Sequence, residues 1–130
     1  MEPIKVEKSR IVNLEKGMIP PFAADVEEVV LGAIMIDQVG MIDCLDILKT
    51  PDVFYYDKNR VIFEAIVQLD RSGSSVDLIT VSHQLKVNGK LEVAGGDSRL
   101  IRLTQCISSS AHIDFHCRIL LQYYIKRAVI

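Results

Sequence analysis

His112 and His116 stand four residues apart, with Cys117 next in line. Two histidines at this spacing on one helical face, with a thiolate near, are a pattern that zinc uses. Ile113 follows His112 where a zinc hydrolase needs glutamate, and Cys117 turns about 100° away from His116 on a helix. An exposed or interface histidine pair is therefore expected in place of a metal site. Cys44, Cys106 and Cys117 suggest a second chemistry, with Cys106 or Cys117 as nucleophile and His83 or His116 as base. Such a pair needs a third group in contact to orient the base. Free cysteine behaves mostly as a small apolar residue, so buried, inert thiols are expected. Asp25, Glu27 and Glu28 resemble paired carboxylates, yet a place in the first turn of a helix explains them through the helix dipole. Tyr55-Tyr56 and Tyr123-Tyr124 offer rings on which single-stranded bases could stack. Stacking platforms come with a basic groove, and here the nearby cations are only Lys58, Arg60, Lys126 and Arg127.

Phosphate chemistry has no cradle. Neither GxxxxGK[ST] nor GxGxxG occurs, and Gly95-Gly96 is followed by Asp97, an acid badly placed for an anion. The chain is expected to use no nucleotide, metal or other cofactor of its own, and to lack an active site.

The elements that must position these residues follow from composition and pattern. One hundred and thirty residues, 49% apolar and 25% charged, with four prolines and seven glycines, suit one globular domain. Fifteen Lys plus Arg against 17 Asp plus Glu leave a net charge of -2, which argues against the footprint of an autonomous nucleic-acid binder. An odd number of cysteines without a CxxC pair disfavours a secreted disulfide framework and fits a reducing cytoplasm. No apolar run reaches the roughly 18 to 20 residues that span a bilayer, and the N-terminus alternates charge where a signal peptide is apolar.

Residues 1–19 mix four Lys/Arg with three Glu and scattered aliphatics, the composition of a flexible arm. Pro20-Pro21 starts the folded part, 20–130. Val26, Val30, Ala33 and Ile34 recur at helical spacing from Ala23 to about Asp37, predicting a first helix. Met41, Leu45 and Leu48 predict a short second one after Gly40, stopped at Thr50-Pro51. Asp57 is expected to cap a third, with Ile62, Ala65, Ile66 and Leu69 inward and Ser72-Gly73 as the stop. Val76 to Val81 has β-propensity, but Asp77 as a cap, Leu78, Val81 and Leu85 at helical spacing and Asn88-Gly89 as a stop favour a fourth helix. Asp97 or Ser98 is expected to cap a fifth, carrying Leu100, Ile101, Leu103 and Ile107, and Ser108-Ser109-Ser110 to begin a sixth from Ala111 to Ile130. No strand pair is convincing, so the fold class is all-α, with about six helices.

The sixth helix has too many apolar faces. At 100° per residue, Ile113, Cys117, Leu120, Leu121, Tyr124 and Ala128 form a stripe for the core. Phe115, Ile119, Tyr123 and, slightly round, Ile130 form a second line on the opposite side. A helix apolar on two sides is covered on both, which predicts another helix, subunit or partner against the second line. The abrupt apolar end at Ala128-Val129-Ile130 suggests truncation.

An ordered set of landmarks then points to a family. Pro20-Pro21, Val26-Glu27-Glu28-Val29-Val30-Leu31-Gly32-Ala33 into Met35-Ile36-Asp37, Asp52-Val53-Phe54-Tyr55, Val61-Ile62-Phe63, Val76 to Val81, Gly95-Gly96 and Ser110-Ala111-His112-Ile113 follow one another over residues 18–130. The series resembles the N-terminal domain of bacterial replicative DNA helicases of the DnaB type. Phe22, where that family usually has a polar residue, departs from the pattern, and residues 1–17 add nothing to it. The resemblance implies an all-α head leading into a helical hairpin, whose second helix would lie beyond Ile130. It implies pairing of subunits through the hairpin in the collar of a hexameric ring, and recruitment of a DnaG-type primase. ATP, magnesium and DNA would belong to a motor domain outside this chain, whose parent protein would unwind duplex DNA. Two other functions remain in view: a free-standing helical nucleic-acid binder using Lys5, Lys8, Arg10, Lys126 and Arg127, and a metal enzyme at His112 and His116.

Overall fold

Asp77 and Thr80 exchange hydrogen bonds across a helix start: Asp77 Oδ1 accepts from Thr80 N at 2.9 Å, and Thr80 Oγ1 accepts from Asp77 N at 2.9 Å. This reciprocal capping box satisfies two otherwise orphaned N–H groups and decides for helix a segment whose β-branched composition suits a strand. The computed structural model describes residues 22–105 and 112–129, and among them every regular element is helical. In chain order these are α1 (Phe22–Ile36), α2 (Gln38–Ile47), a 3-10 turn (Pro51–Val53), α3 (Asp57–Arg71), α4 (Leu78–Val87), α5 (Leu91–Ala94), α6 (Gly96–Gln105) and α7 (Ile113–Val129). The expected arm 1–19, Pro20-Pro21, Cys106, Ile107, Ser108-Ser109-Ser110 and Ile130 lie outside the described residues.

The all-α class holds, with several differences in detail. α5, a single turn of four residues, is too short to show a period in sequence. α2 begins at Gln38, ahead of Gly40, because Asp37 Oδ1 accepts from Val39 N at 3.0 Å and caps it. Asp57 is the first residue of α3 and not its cap; Tyr56 holds the cap position without a side-chain bond, and Asp57 pairs instead with Arg60 one turn on. α6 starts at Gly96, and Asp97 accepts from Ser82 Oγ across the α4–α6 contact in place of capping its own helix. Thr50-Pro51 ends one helical pattern and starts the 3-10 turn, with Thr50 Oγ1 accepting from Asp52 N at 3.3 Å.

α1 is the central element. Residues 30–35 are buried in succession, so no face of this stretch meets water. α7, α6, α2 and α3 all pack on it. A helix apolar all round is stable only when enclosed. Phe54 and Phe63, fully buried, join the 3-10 turn region to α3 with ring centroids 4.8 Å apart. Each such side chain contributes about 1.5–3 kcal/mol by leaving water.

A polar chain crosses this core. Glu27 of α1 is 1% exposed and accepts from Tyr55 N at 2.7 Å and Asn59 Nδ2 at 2.8 Å. Asn59 Oδ1 in turn accepts from Arg99 Nη2 at 2.6 Å. Arg99 also donates to Ala94 O at 2.9 Å and to Glu28 Oε2 at 3.0 Å. α1, α3, α5 and α6 are thereby tied by one network. Buried polar groups need such partners, since each one left unsatisfied costs about 1–3 kcal/mol.

Candidate association face on the last helix

α7 is set on the head by two kinds of contact. Ile113, Cys117 and Leu120 are buried, and Leu121 and Tyr124 pack half-buried against the core, in line with the expected docking stripe. Ala128 departs from it and is exposed. In the last turn the surface beneath α7 is the carbonyl end of the 3-10 turn, not an apolar wall. Arg127 serves that surface, donating from Nη2 to Asp52 O at 3.2 Å and Val53 O at 3.0 Å. Its guanidinium lies 5.4 Å from the Tyr55 ring centroid and 5.7 Å from that of Tyr124. Partial burial makes Arg127 easier to deprotonate than usual, and the Glu27 carboxylate opposes that change.

The opposite side of α7 carries the second line. Phe115 is 59% exposed, and Ile119 and Tyr123 follow at successive turns, each half-buried. Ile130, the fourth residue expected there, is outside the described residues. Ile125, between the two stripes, is 50% exposed. Periodicity did not single it out, nor the apolar group Ile36, Val39 and Ile42 exposed at the end of α1 and along α2.

The candidate chemical groups do not converge. His112 is exposed just ahead of α7, and His116 sets its ring edgewise to Phe115, centroids 5.7 Å apart. Cys117 Sγ points into the core, 2.8 Å from Cys44 Sγ, away from both histidines. Among the described residues no three His, Cys, Asp or Glu are grouped as a metal site. His83 lines a shallow groove between α4 and α6 with Ile79, Lys86, Asp97 and Ile101, and meets no cysteine there.

The tyrosine pairs are brought together at one end, Tyr55 and Tyr124 around Arg127, and Tyr56 edge-on to Tyr55. Because Arg127 donates to two backbone carbonyls, this cluster is a structural clasp more than a basic groove.

Asp25 sits in the first turn as expected, but the helix-dipole account of Glu27 fails: its carboxylate is inside the core network. Burial pushes the Glu27 carboxyl above the ordinary value of 4.5, against the opposing hydrogen bonds from Asn59 and Tyr55. The signal was present in the sequence as polar residues on apolar stripes. Glu27 precedes Val30, Leu31 and Ile34 at three, four and seven residues, and Asn59 precedes Ile62, Phe63 and Ile66 likewise. The double glycine is similarly engaged: Gly95, at φ +102°, lies against Arg99, whose Cδ would be 2.5 Å from an added Cβ. Gly95 thus admits an arginine stem.

Among the described residues no helix is long and apolar enough to cross a membrane. Residues 19–122 match the family model of the DnaB-like helicase N-terminal domain. The replicative DNA helicase DnaB of Rhodothermus marinus is 37% identical over 118 residues, covering 91% of this chain and 12% of that protein. Its counterpart from Geobacillus stearothermophilus is 32% identical over 112 residues, covering 86% of this chain and 24% of the relative. The crystal structure of the N-terminal domain of DnaB helicase from Mycobacterium tuberculosis superposes with a TM-score of 0.76 at 26% identity, over 80% of this chain and 74% of the other. The chain therefore spans about a quarter or less of these curated relatives' length. With its all-helical head and a family match over most of its residues, this chain belongs to the DnaB-like helicase N-terminal domain family.

Proposed function

We propose that this chain is a non-catalytic association and recruitment domain of a replicative DNA helicase, working in the cytoplasm. The outward line of α7, Phe115, Ile119 and Tyr123, pairs with the same line of a second copy, and the paired heads present a composite surface to a DnaG-type primase. ATP hydrolysis and movement along DNA fall to other parts of such a helicase. One observation carries this reading: Phe115 remains 59% exposed on the side of α7 opposite the buried Ile113, Cys117 and Leu120. An isologous pairing buries such a stripe twice over for one set of residues, which is why two-fold contacts are common among oligomers.

Sedimentation velocity tests the pairing. The unaltered chain is expected to sediment as a dimer or larger, and Phe115→Asp and Ile119→Asp as monomers with unchanged helical circular dichroism. Equal sedimentation of all three ends the pairing proposal. Titration calorimetry against a DnaG-type primase tests recruitment, and absence of binding heat removes it.

A further inference from the structure

Two thiols meet where α2 crosses α7. Cys44 and Cys117, 73 residues apart in sequence, are each fully buried, and their sulfurs lie 2.8 Å apart. One turn earlier on both helices, Gly40 faces Ile113, whose Cγ2 would be 3.2 Å from a Cβ added at Gly40. Gly40 and Cys44 are thus matched in order with Ile113 and Cys117. The two helices run in the same direction here, and the missing side chain at Gly40 lets them approach closely. Two independent contacts fix the register that places sulfur on sulfur. A disulfide bond is about 2.05 Å long, so closing this pair requires a movement under about 1 Å.

We propose that Cys44 and Cys117 are a covalent modification site, joined by oxidation into an intrachain disulfide that locks α7 to α2. The oxidant is a low-molecular-weight disulfide, such as oxidised glutathione. One cysteine, losing its proton, attacks a glutathione sulfur; the glutathione S–S bond breaks, and the released thiolate takes up a proton. The second cysteine, also deprotonated, then attacks the sulfur of the mixed disulfide. The Cys44–Cys117 bond forms as the second glutathione leaves as a thiol. Two protein thiols are oxidised and one glutathione disulfide is reduced to two thiols, with protons conserved.

Since neither sulfur reaches solvent, the first attack waits on transient separation of α2 from α7. The hydrogen bond with Cys117 and burial both push the Cys44 thiol up, keeping it protonated and slow to react in the closed state. Disulfides in reducing compartments are commonly transient responses to oxidant, and a pair gated by helix opening fits that use. This site stands whether or not the outer line of α7 pairs copies.

The test is incubation of the whole chain with oxidised glutathione, an acid quench, alkylation of remaining thiols and peptide mapping without reduction. The expected map contains a linked pair of peptides bearing Cys44 and Cys117, with Cys106 alkylated. The oxidised chain is expected to melt roughly 10 °C above the reduced one, with dithiothreitol abolishing the difference. Cys44→Ser and Cys117→Ser lose the linked pair, and the map of the unaltered chain decides the matter even if these variants fold poorly. A lasting glutathione adduct on Cys44 or Cys117 without the linked pair, or a bond made through Cys106, overturns the proposal.

Discussion

Arg99 Nη2 donates to Asn59 Oδ1 at 2.6 Å inside the protein, joining α6 to α3 across 40 residues of sequence. The same guanidinium closes on Ala94 O and Glu28, so it ties α6 to α5 and α1 as well. Removing this donor leaves Asn59 Oδ1 and Ala94 O short of a partner inside the core. Arg99→Ala is expected to destabilise the chain by about 1–3 kcal/mol for each acceptor left unsatisfied. The lysine substitution, unable to reproduce the planar fork, should recover only part of that loss. Urea denaturation of both variants checks the order.

Glu27 gives the head a pH dependence of definite sign. Its carboxyl is raised above 4.5 by burial, so the folded state binds this proton more tightly than the unfolded one. Its contribution to stability is present in full below the unfolded value and is lost as pH rises through the folded value. Glu27→Gln removes that dependence. The stability of the unaltered chain relative to this variant is therefore expected to fall as pH rises from about 4 toward neutrality. A difference that stays level, or grows with pH, is inconsistent with this placement of the carboxyl.

Gly95 and Gly89 make a matched pair of tests. Both have positive φ, +102° and +68°, but an added Cβ meets Arg99 at Gly95 and nothing within 4 Å at Gly89. Gly89→Ala is expected to cost about 1–2 kcal/mol, the backbone penalty alone. Gly95→Ala adds about 1–3 kcal/mol of overpacking against the arginine stem. Thermal denaturation should rank Gly95→Ala below Gly89→Ala; equal melting temperatures would falsify the close approach.

Arg127 holds the end of α7 through two carbonyls, which are acceptors that any shortened side chain abandons. Arg127→Met keeps much of the apolar stem and loses both bonds. Hydrogen exchange is expected to quicken in the last two turns of α7 while α3 keeps its protection. Uniform protection in the variant would show that apolar packing alone secures the helix.

Much of the head is legible along the chain because its signals are local. Asp77 with Leu78, Val81 and Leu85 announces α4, and Ile62, Ala65, Ile66 and Leu69 announce α3, since cap chemistry and a 3.6-residue period act within one helix. The exposed position of Phe115 follows from the same period. Other features depend on what a residue meets after folding. Ala128 belongs to the inner stripe by angle, but α7 passes over carbonyls at that point and Arg127 takes its place. Asp97 looks like a helix cap, and Ser82 on α4 claims its carboxylate instead. Four residues are too few for α5 to show a period. Glu27 and Asn59 stand as polar residues on apolar stripes, although each alone looks like an ordinary helix-surface residue, and Arg99 joins them only after folding.

The enclosure of α1 bears on how the chain is made. Residues 30–35 are wrapped by α6 and α7, which a ribosome makes only after them, so this apolar segment is synthesised before the helices that cover it. At about 5–20 residues per second, that interval lasts several seconds for each newborn chain. During it, the nascent polypeptide needs shelter from its neighbours on the same polysome.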